Sequence, residues 1–186
     1  YWWNYVNING DSRIMASELH VDAIKHSGGT SALTIGSSGV VHIPGHVIQT
    51  VKVQQIFSEV TTTGSSYVDS NMALAITPKF ASSTILFLAR AWTSINQSSG
   101  AINMQVTRTI SGGSATNFEG GHISIAEYGQ TSGPSYREES KQFMCFDEPN
   151  TTTATTYTIT FKSGGGTARV GVSNRTGTII LQEIAQ

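Results

Sequence analysis

From Gln49 onward, apolar and polar residues alternate with a period of two, and glycine-rich turn clusters cut the alternation into short lengths. Period two is the side-chain repeat of a strand with one buried face, whereas a helix needs a period near 3.6. Val51, Val53 and Phe57 alternate with Lys52, Gln54 and Ser58, and Met72, Leu74 and Ile76 make a second run that stops before Pro78. Ile85-Leu86-Phe87-Leu88-Ala89 is apolar at every position, as expected of a central strand covered on both faces. Trp92 is read as ending that strand. Ile102, Met104 and Val106 resume the alternation; Phe143-Met144-Cys145-Phe146, then Tyr157, Ile159 and Phe161, then Ala168, Val170 and Val172, then residues 179–184 continue it. Ser111-Gly112-Gly113-Ser114 has hairpin chemistry, because glycine supplies the positive φ of tight turns. Short strands at this spacing predict an all-β chain whose main body is a jelly-roll-like antiparallel β-sandwich.

Composition supports that reading and removes several classes of function. The chain holds 23 Ser and 23 Thr among its 186 residues, while charged residues are only 12%. Net charge is −1 and no two Lys or Arg residues are adjacent. Nucleic acid and anionic lipid both call for a basic patch, so neither is an expected partner. The most apolar stretch, residues 85–92, is interrupted by Arg90 and is too short to span a bilayer, so membrane insertion is not expected. No charged segment followed by an apolar one opens the chain, so no signal peptide is expected. The chain opens on Tyr1 rather than Met, and its start does not reveal a compartment.

Residues 1–46 follow a different pattern. Leu19, Val21 and Ala23 alternate with His20 and Asp22, then brief apolar pairs are punctuated by Gly28-Gly29, by Gly36 and Gly39, and by Pro44-Gly45. A helix over residues 13–25 competes with the strand reading, but the alternation favours the strand. Apolar pairs this sparse cannot build a core within one chain. Copies wrapped about a common axis can supply the surface each lacks, which predicts an intertwined trimeric β shaft over residues 1–46 and a knob over residues 47–186. With one cysteine, Cys145, no internal disulfide can form, so assembly is the natural substitute source of stability.

No constellation predicts catalysis, and the expectation is a chain that is not an enzyme. Cys145 sits within an alternating apolar run and reads as a small core residue. No Ser occupies a G-x-S-x-G elbow, and a His122, Asp147 and Ser set is a coincidence that so many hydroxyls make cheap. Glu119, Glu127, Glu138, Glu139 and Asp147 could supply the facing carboxylates of a glycosidase, but read more simply as a solvated rim. His42 and His46 would align on a helix, yet Pro44-Gly45 between them forbids one. A single His per chain could still form a three-nitrogen site about a threefold axis, but no metal is expected within one chain, and no cofactor. Three sequons, at Asn96, Asn150 and Asn174, decide nothing in so hydroxyl-rich a chain.

The stretch 119–139 lacks clean strand periodicity, and a short helical turn over residues 135–141 fits its Ser135 and Glu138 capping pattern. It concentrates polar aromatics beside amides and charges: Tyr128, Gln130, Tyr136, Arg137 and Glu138. Stiff rings next to such groups suit sugar or protein surfaces, so these five residues form the candidate receptor-binding loop, with Trp92 as a weaker candidate.

The phrases Glu18-Leu19-His20-Val21-Asp22-Ala23-Ile24, Gly28-Gly29-Thr30-Ser31-Ala32-Leu33-Thr34-Ile35, Ile43-Pro44-Gly45-His46-Val47-Ile48-Gln49 and Ile180-Leu181-Gln182-Glu183-Ile184 resemble stretches of virion fibre proteins from marine tailed bacteriophages. That resemblance implies a repetitive shaft leading through a Pro-Gly-His-Val junction into a C-terminal β-sandwich knob. It implies a homotrimer in the virion, joined to other virion proteins through its N-terminal segment, with a knob that binds a host surface glycan or protein. It carries no catalytic residues, and it assigns no role to Tyr1-Trp2-Trp3-Asn4. The alternatives are a capsid-attached head fibre or decoration protein and, less favoured, a surface-polysaccharide depolymerase.

Overall fold

The computed structural model describes residues 21, 23–35, 39–96, 100–125 and 137–186. Described segments are all-β, with antiparallel pairing throughout and one short 3-10 turn. β1 (Ala23–Lys25), β2 (Ser31–Ile35) and β3 (Val41–His42) make a small three-stranded sheet of their own. β4 (Val47–Ile56), β5 (Val60–Thr62), β7 (Thr84–Ile95), β10 (Arg137–Asp147), β12 (Ala168–Val170) and β13 (Thr176–Ile184) form a larger sheet in the order β4-β13-β7-β12-β5, with β10 on the other side of β7. β6 (Val68–Ile76), β8 (Ile102–Ile110), β9 (Thr116–Ile125) and β11 (Thr155–Ser163) form a second sheet in the order β6-β11-β8-β9.

The two larger sheets share a core, and the alternation decides which side chains enter it. Phe87, Ile179, Leu181, Phe143 and Cys145 point inward from one sheet; Met72, Met104, Tyr157, Ile159 and Phe161 point inward from the other. Phe87 and Tyr157 meet across the layer with ring centroids 6.2 Å apart, and Phe118 stands edge-on to Tyr157 at 5.9 Å. The predicted hairpin at residues 111–114 is present, with Gly112 at φ 85 between β8 and β9. Gly171 ends β12 at φ 81, and its amide donates to the Trp92 carbonyl at 2.9 Å. A side chain there would meet the Ser58 carbonyl oxygen at 2.9 Å, so the backbone crossing requires glycine. Val172, read from its spacing as strand, instead opens the 3-10 turn Val172–Asn174.

The residues around Pro44 pin the small sheet's exit to the end of the chain. The Gly45 amide donates to the Ala185 carbonyl at 2.7 Å, and the Ala185 amide donates to the His46 carbonyl at 2.9 Å. The His42 ring stands edge-on to Phe80 at 4.8 Å. Next to this junction Glu183 is fully buried. One of its carboxylate oxygens accepts the amides of Lys79 at 2.7 Å and Phe80 at 3.1 Å, and the other accepts Gln49 Nε2 at 2.6 Å. These bonds satisfy a charge whose burial would otherwise cost several kcal/mol, and they tie the 77–80 loop to β13.

Three expectations change here. The helical turn over residues 135–141 is absent from Arg137 onward, because every residue of β10 from Arg137 to Asp147 is paired with β7. The irregular stretch 119–139 shrinks: its first part belongs to β9, paired with β8, and Arg137–Glu139 belongs to β10. Trp92 does not end its strand, since β7 runs on to Ile95.

Candidate functional site

The ladder registers fix which residues share the outer face of the larger sheet, because residues directly opposite each other project to the same side. Phe146, Leu86, Gln182 and Thr50 form one row across β10, β7, β13 and β4; Met144, Leu88, Ile180 and Lys52 form the next; Gln142, Arg90, Thr178 and Gln54 form a third. Val47 lies opposite Ile184 beyond the first row, and Ile56 lies opposite Thr176 beyond the third. The face therefore runs from an apolar band into a polar one, with a shallow trough of about 570 Å³ where they meet.

Trp92 sits one step further along β7, opposite Ser140, on this same face. The Arg175 guanidinium lies 4.4 Å from its ring centroid, a cation–π stack, and Arg175 Nε is 3.4 Å from a Glu138 carboxylate oxygen. Arg90 donates to the Thr176 carbonyl at 3.2 Å and braces the turn that carries Arg175. Glu138, Arg175 and Trp92 thus form a stacked polar cluster at the upper margin of the face. Of the candidate loop residues, Tyr128, Gln130 and Tyr136 lie outside the described residues. Arg137 opens β10, with only its backbone described, and Glu138 is exposed in the cluster just named.

Asp147, expected on a solvated rim, is buried instead. It accepts Arg108 Nη1 at 2.8 and 3.0 Å and the Tyr157 hydroxyl at 2.7 Å. Arg108 and Tyr157 come from the second sheet and Asp147 from the first, so the cluster bolts the two layers together. Burial, with the hydrogen bond and charge of Asp147 added, pushes the Tyr157 hydroxyl far above its ordinary range. Cys145 nearby is pushed up to about 11 by burial first and Asp147 second, which keeps the thiol protonated and unreactive at neutral pH. His122 stands opposite Gln105 on the β8–β9 ladder, and its side chain is outside the described residues. Among the described residues no group of three His, Cys, Asp or Glu side chains could hold a metal ion, and no helix is long and apolar enough to cross a membrane.

Arg175 escaped notice in the sequence because only the 3-10 turn and the Trp92 register place it. The apolar band did leave a signal: unbroken apolar runs at residues 85–89, 143–146 and 179–181, three strands that turn out to be neighbours.

No family model matches the chain, and no curated protein matches it in sequence. Its fold is similar to solved structures from infectious bursal disease virus. The structure of the virus Gt strain matches with a TM-score of 0.43 at 10% identity, covering 89% of this chain and 43% of that one. The crystal structure of the VP2 subviral particle matches with a TM-score of 0.38 at 10% identity, covering 74% of this chain and 37% of that one. The chain spans about two fifths of the length of the viral chains it matches.

Proposed function

We propose that this chain is a non-enzymatic structural protein of a bacteriophage particle, a homotrimeric fibre whose sandwich end binds the host cell surface and whose N-terminal segment joins other virion proteins. One observation carries the reading: none of the described residues between 21 and 50 is buried, although they include a hydrogen-bonded three-stranded sheet. A three-stranded sheet without a buried face is not stable alone in water, so it calls for surface from other copies. The resemblance of its short phrases to phage fibre proteins supports the virion context.

The test is sedimentation of the full chain, with three times the 19.9 kDa of one chain as the expected mass. A monomer at micromolar concentration overturns the trimer. In this proposal Tyr128, Gln130, Tyr136, Arg137 and Glu138, within residues 119–139, carry the recognition surface. Tyr136→Ala with Arg137→Ala is expected to leave the trimer intact and to lower adsorption of the purified protein to host cells. Unchanged adsorption would favour a head fibre or decoration protein over a receptor-binding tip.

A further inference from the structure

We infer that the outer face of the β10-β7-β13-β4 sheet turns toward the axis of the assembly and is covered there by other copies of this chain. This rests on the trimer reading and adds which surface of the sandwich the copies share.

Four observations converge on this face. The first is where the exposed apolar side chains fall. The large hydrophobics that the described sandwich leaves in water are Val47 at 50% exposed, Ile56 at 56%, Met144 at 65% and Phe146 at 52%. The ladder registers put all four on this one face, around half-buried Leu86, Leu88 and Ile180. The second sheet's outer face shows the opposite composition: its rows pair Thr156 with Thr109, Thr158 with Thr107, Thr160 with Gln105 and Lys162 with Asn103. Gln105 and Thr107 on that face are buried, yet it carries hydroxyls and amides rather than large apolar side chains. The two faces of one sandwich therefore differ in chemistry, and only the first leaves large apolar side chains in water.

The second observation is the unbroken apolar run within each of three neighbouring strands, residues 85–89 of β7, 143–146 of β10 and 179–181 of β13. Strands buried on one face alternate, whereas strands buried on both read as continuous apolar runs. Among the described residues only their inner faces are fully buried, so these runs call for a cover on the outer face as well.

The third is continuity with the N-terminal sheet. Its exposed residues Ile24 and Val41 precede a junction that is pinned to Ala185, and the first residue after it, Val47, already lies on the apolar face. Val41 of the small sheet and Val47 of β4 line one shallow hollow, so surface that needs a second copy in the small sheet adjoins the sandwich face, which is why the occupant is this chain rather than an unrelated protein. The fourth is size. Four strands about 4.8 Å apart carrying five rows about 6.8 Å apart make a face of roughly 600 Å². That approaches the roughly 800 Å² one partner gives to a standard interface. Across its three full rows the only charges are Lys52 and Arg90, matching the charge-poor centres of interfaces.

Methionine footprinting on the intact full-length assembly tests this without a mutation. Met144 is the exposed probe, and Met72 and Met104, both core residues, are the protected controls. With dilute hydrogen peroxide and mass-spectrometric readout, Met144 is expected to oxidise at least tenfold more slowly than free methionine. Oxidation within twofold of free methionine in a species that sediments as a trimer overturns the face assignment and leaves the trimer reading intact. A monomer by sedimentation overturns the trimer reading itself. A second arm uses Met144→Asp with Phe146→Asp, two side chains that a lone chain keeps in water and whose replacement should spare its fold. Loss of the trimer with an unchanged β-type circular dichroism spectrum supports the interface. A trimer that persists down to the same concentration as the wild type overturns it, and Thr156→Asp with Thr158→Asp on the opposite face is the control expected to change nothing.

Discussion

The N-terminal sheet and the sandwich are built from the same local material, short antiparallel strands joined by glycine turns, yet they bury different amounts of themselves. In the sandwich Tyr157, Ile159, Phe161, Ile179 and Leu181 have no exposed surface at all. In the small sheet even Leu33 and Ile35 are only half-buried, although β1, β2 and β3 hold a regular ladder. Backbone pairing alone therefore does not distinguish a stable unit from a dependent one. A second layer does, because the apolar face of a sheet must meet another element to leave water.

The widest separation between the two regions should come from truncating one apolar side chain in each. Ile159→Ala in the sandwich is expected to cost about 2–5 kcal/mol in a urea unfolding curve, since it leaves a cavity in a fully packed site. A loss well under 1 kcal/mol there would mean that the core is looser than its burial implies.

Alkaline titration sharpens the contrast by a smaller amount. The Cys145 thiol, about 9 when unfolded, stands at about 11 in the folded chain, so the unfolded state sheds its proton first as pH rises. Its contribution to stability is fully present below about pH 9 and is lost between about 9 and 11, with Tyr157 acting in the same direction at higher pH. The urea midpoint of the wild type should fall more steeply over that window than that of Cys145→Ala. Parallel slopes would show that the thiol is not desolvated in the native core.

The smallest effect on unfolding is expected in the N-terminal sheet. Ile24→Ser, at a position 48% exposed, should move the sandwich unfolding free energy by no more than about 0.5 kcal/mol. The same variant should shift the trimer-to-monomer midpoint, read by sedimentation, to higher protein concentration. An unfolding loss as large as that of Ile159→Ala would erase the distinction between the regions.

The alternating strands could be read from sequence because one buried face forces apolar residues to every second position, as at Met72, Leu74 and Ile76 in β6 or Tyr157, Ile159 and Phe161 in β11. β9 and the start of β10 could not. Gly120-Gly121 and the charges at Arg137, Glu138 and Glu139 hide the period, and pairing with β8 and β7 supplies the extended conformation instead. Glu183 was also illegible: nothing near it in sequence announces the Lys79 and Phe80 amides, about a hundred positions away, that let it be buried. The candidate loop was legible only as a composition, whereas the Trp92–Arg175–Glu138 stack depends on three segments meeting.

The joining of Gly45 and His46 to Ala185 has a mechanical consequence. A pull applied to the N-terminal segment would enter the sandwich at Val47 and run along β4. That strand is paired with β13 from Val47 to Ile56, so the tension acts along the strand and across the ladder bonds, which lie perpendicular to it. Loaded in this way the bonds resist together in shear, and none can be peeled open before its neighbours. The bonds of Ala185 to Gly45 and His46 lengthen that ladder at the end where the tension arrives, so they add to the number of bonds that must fail together.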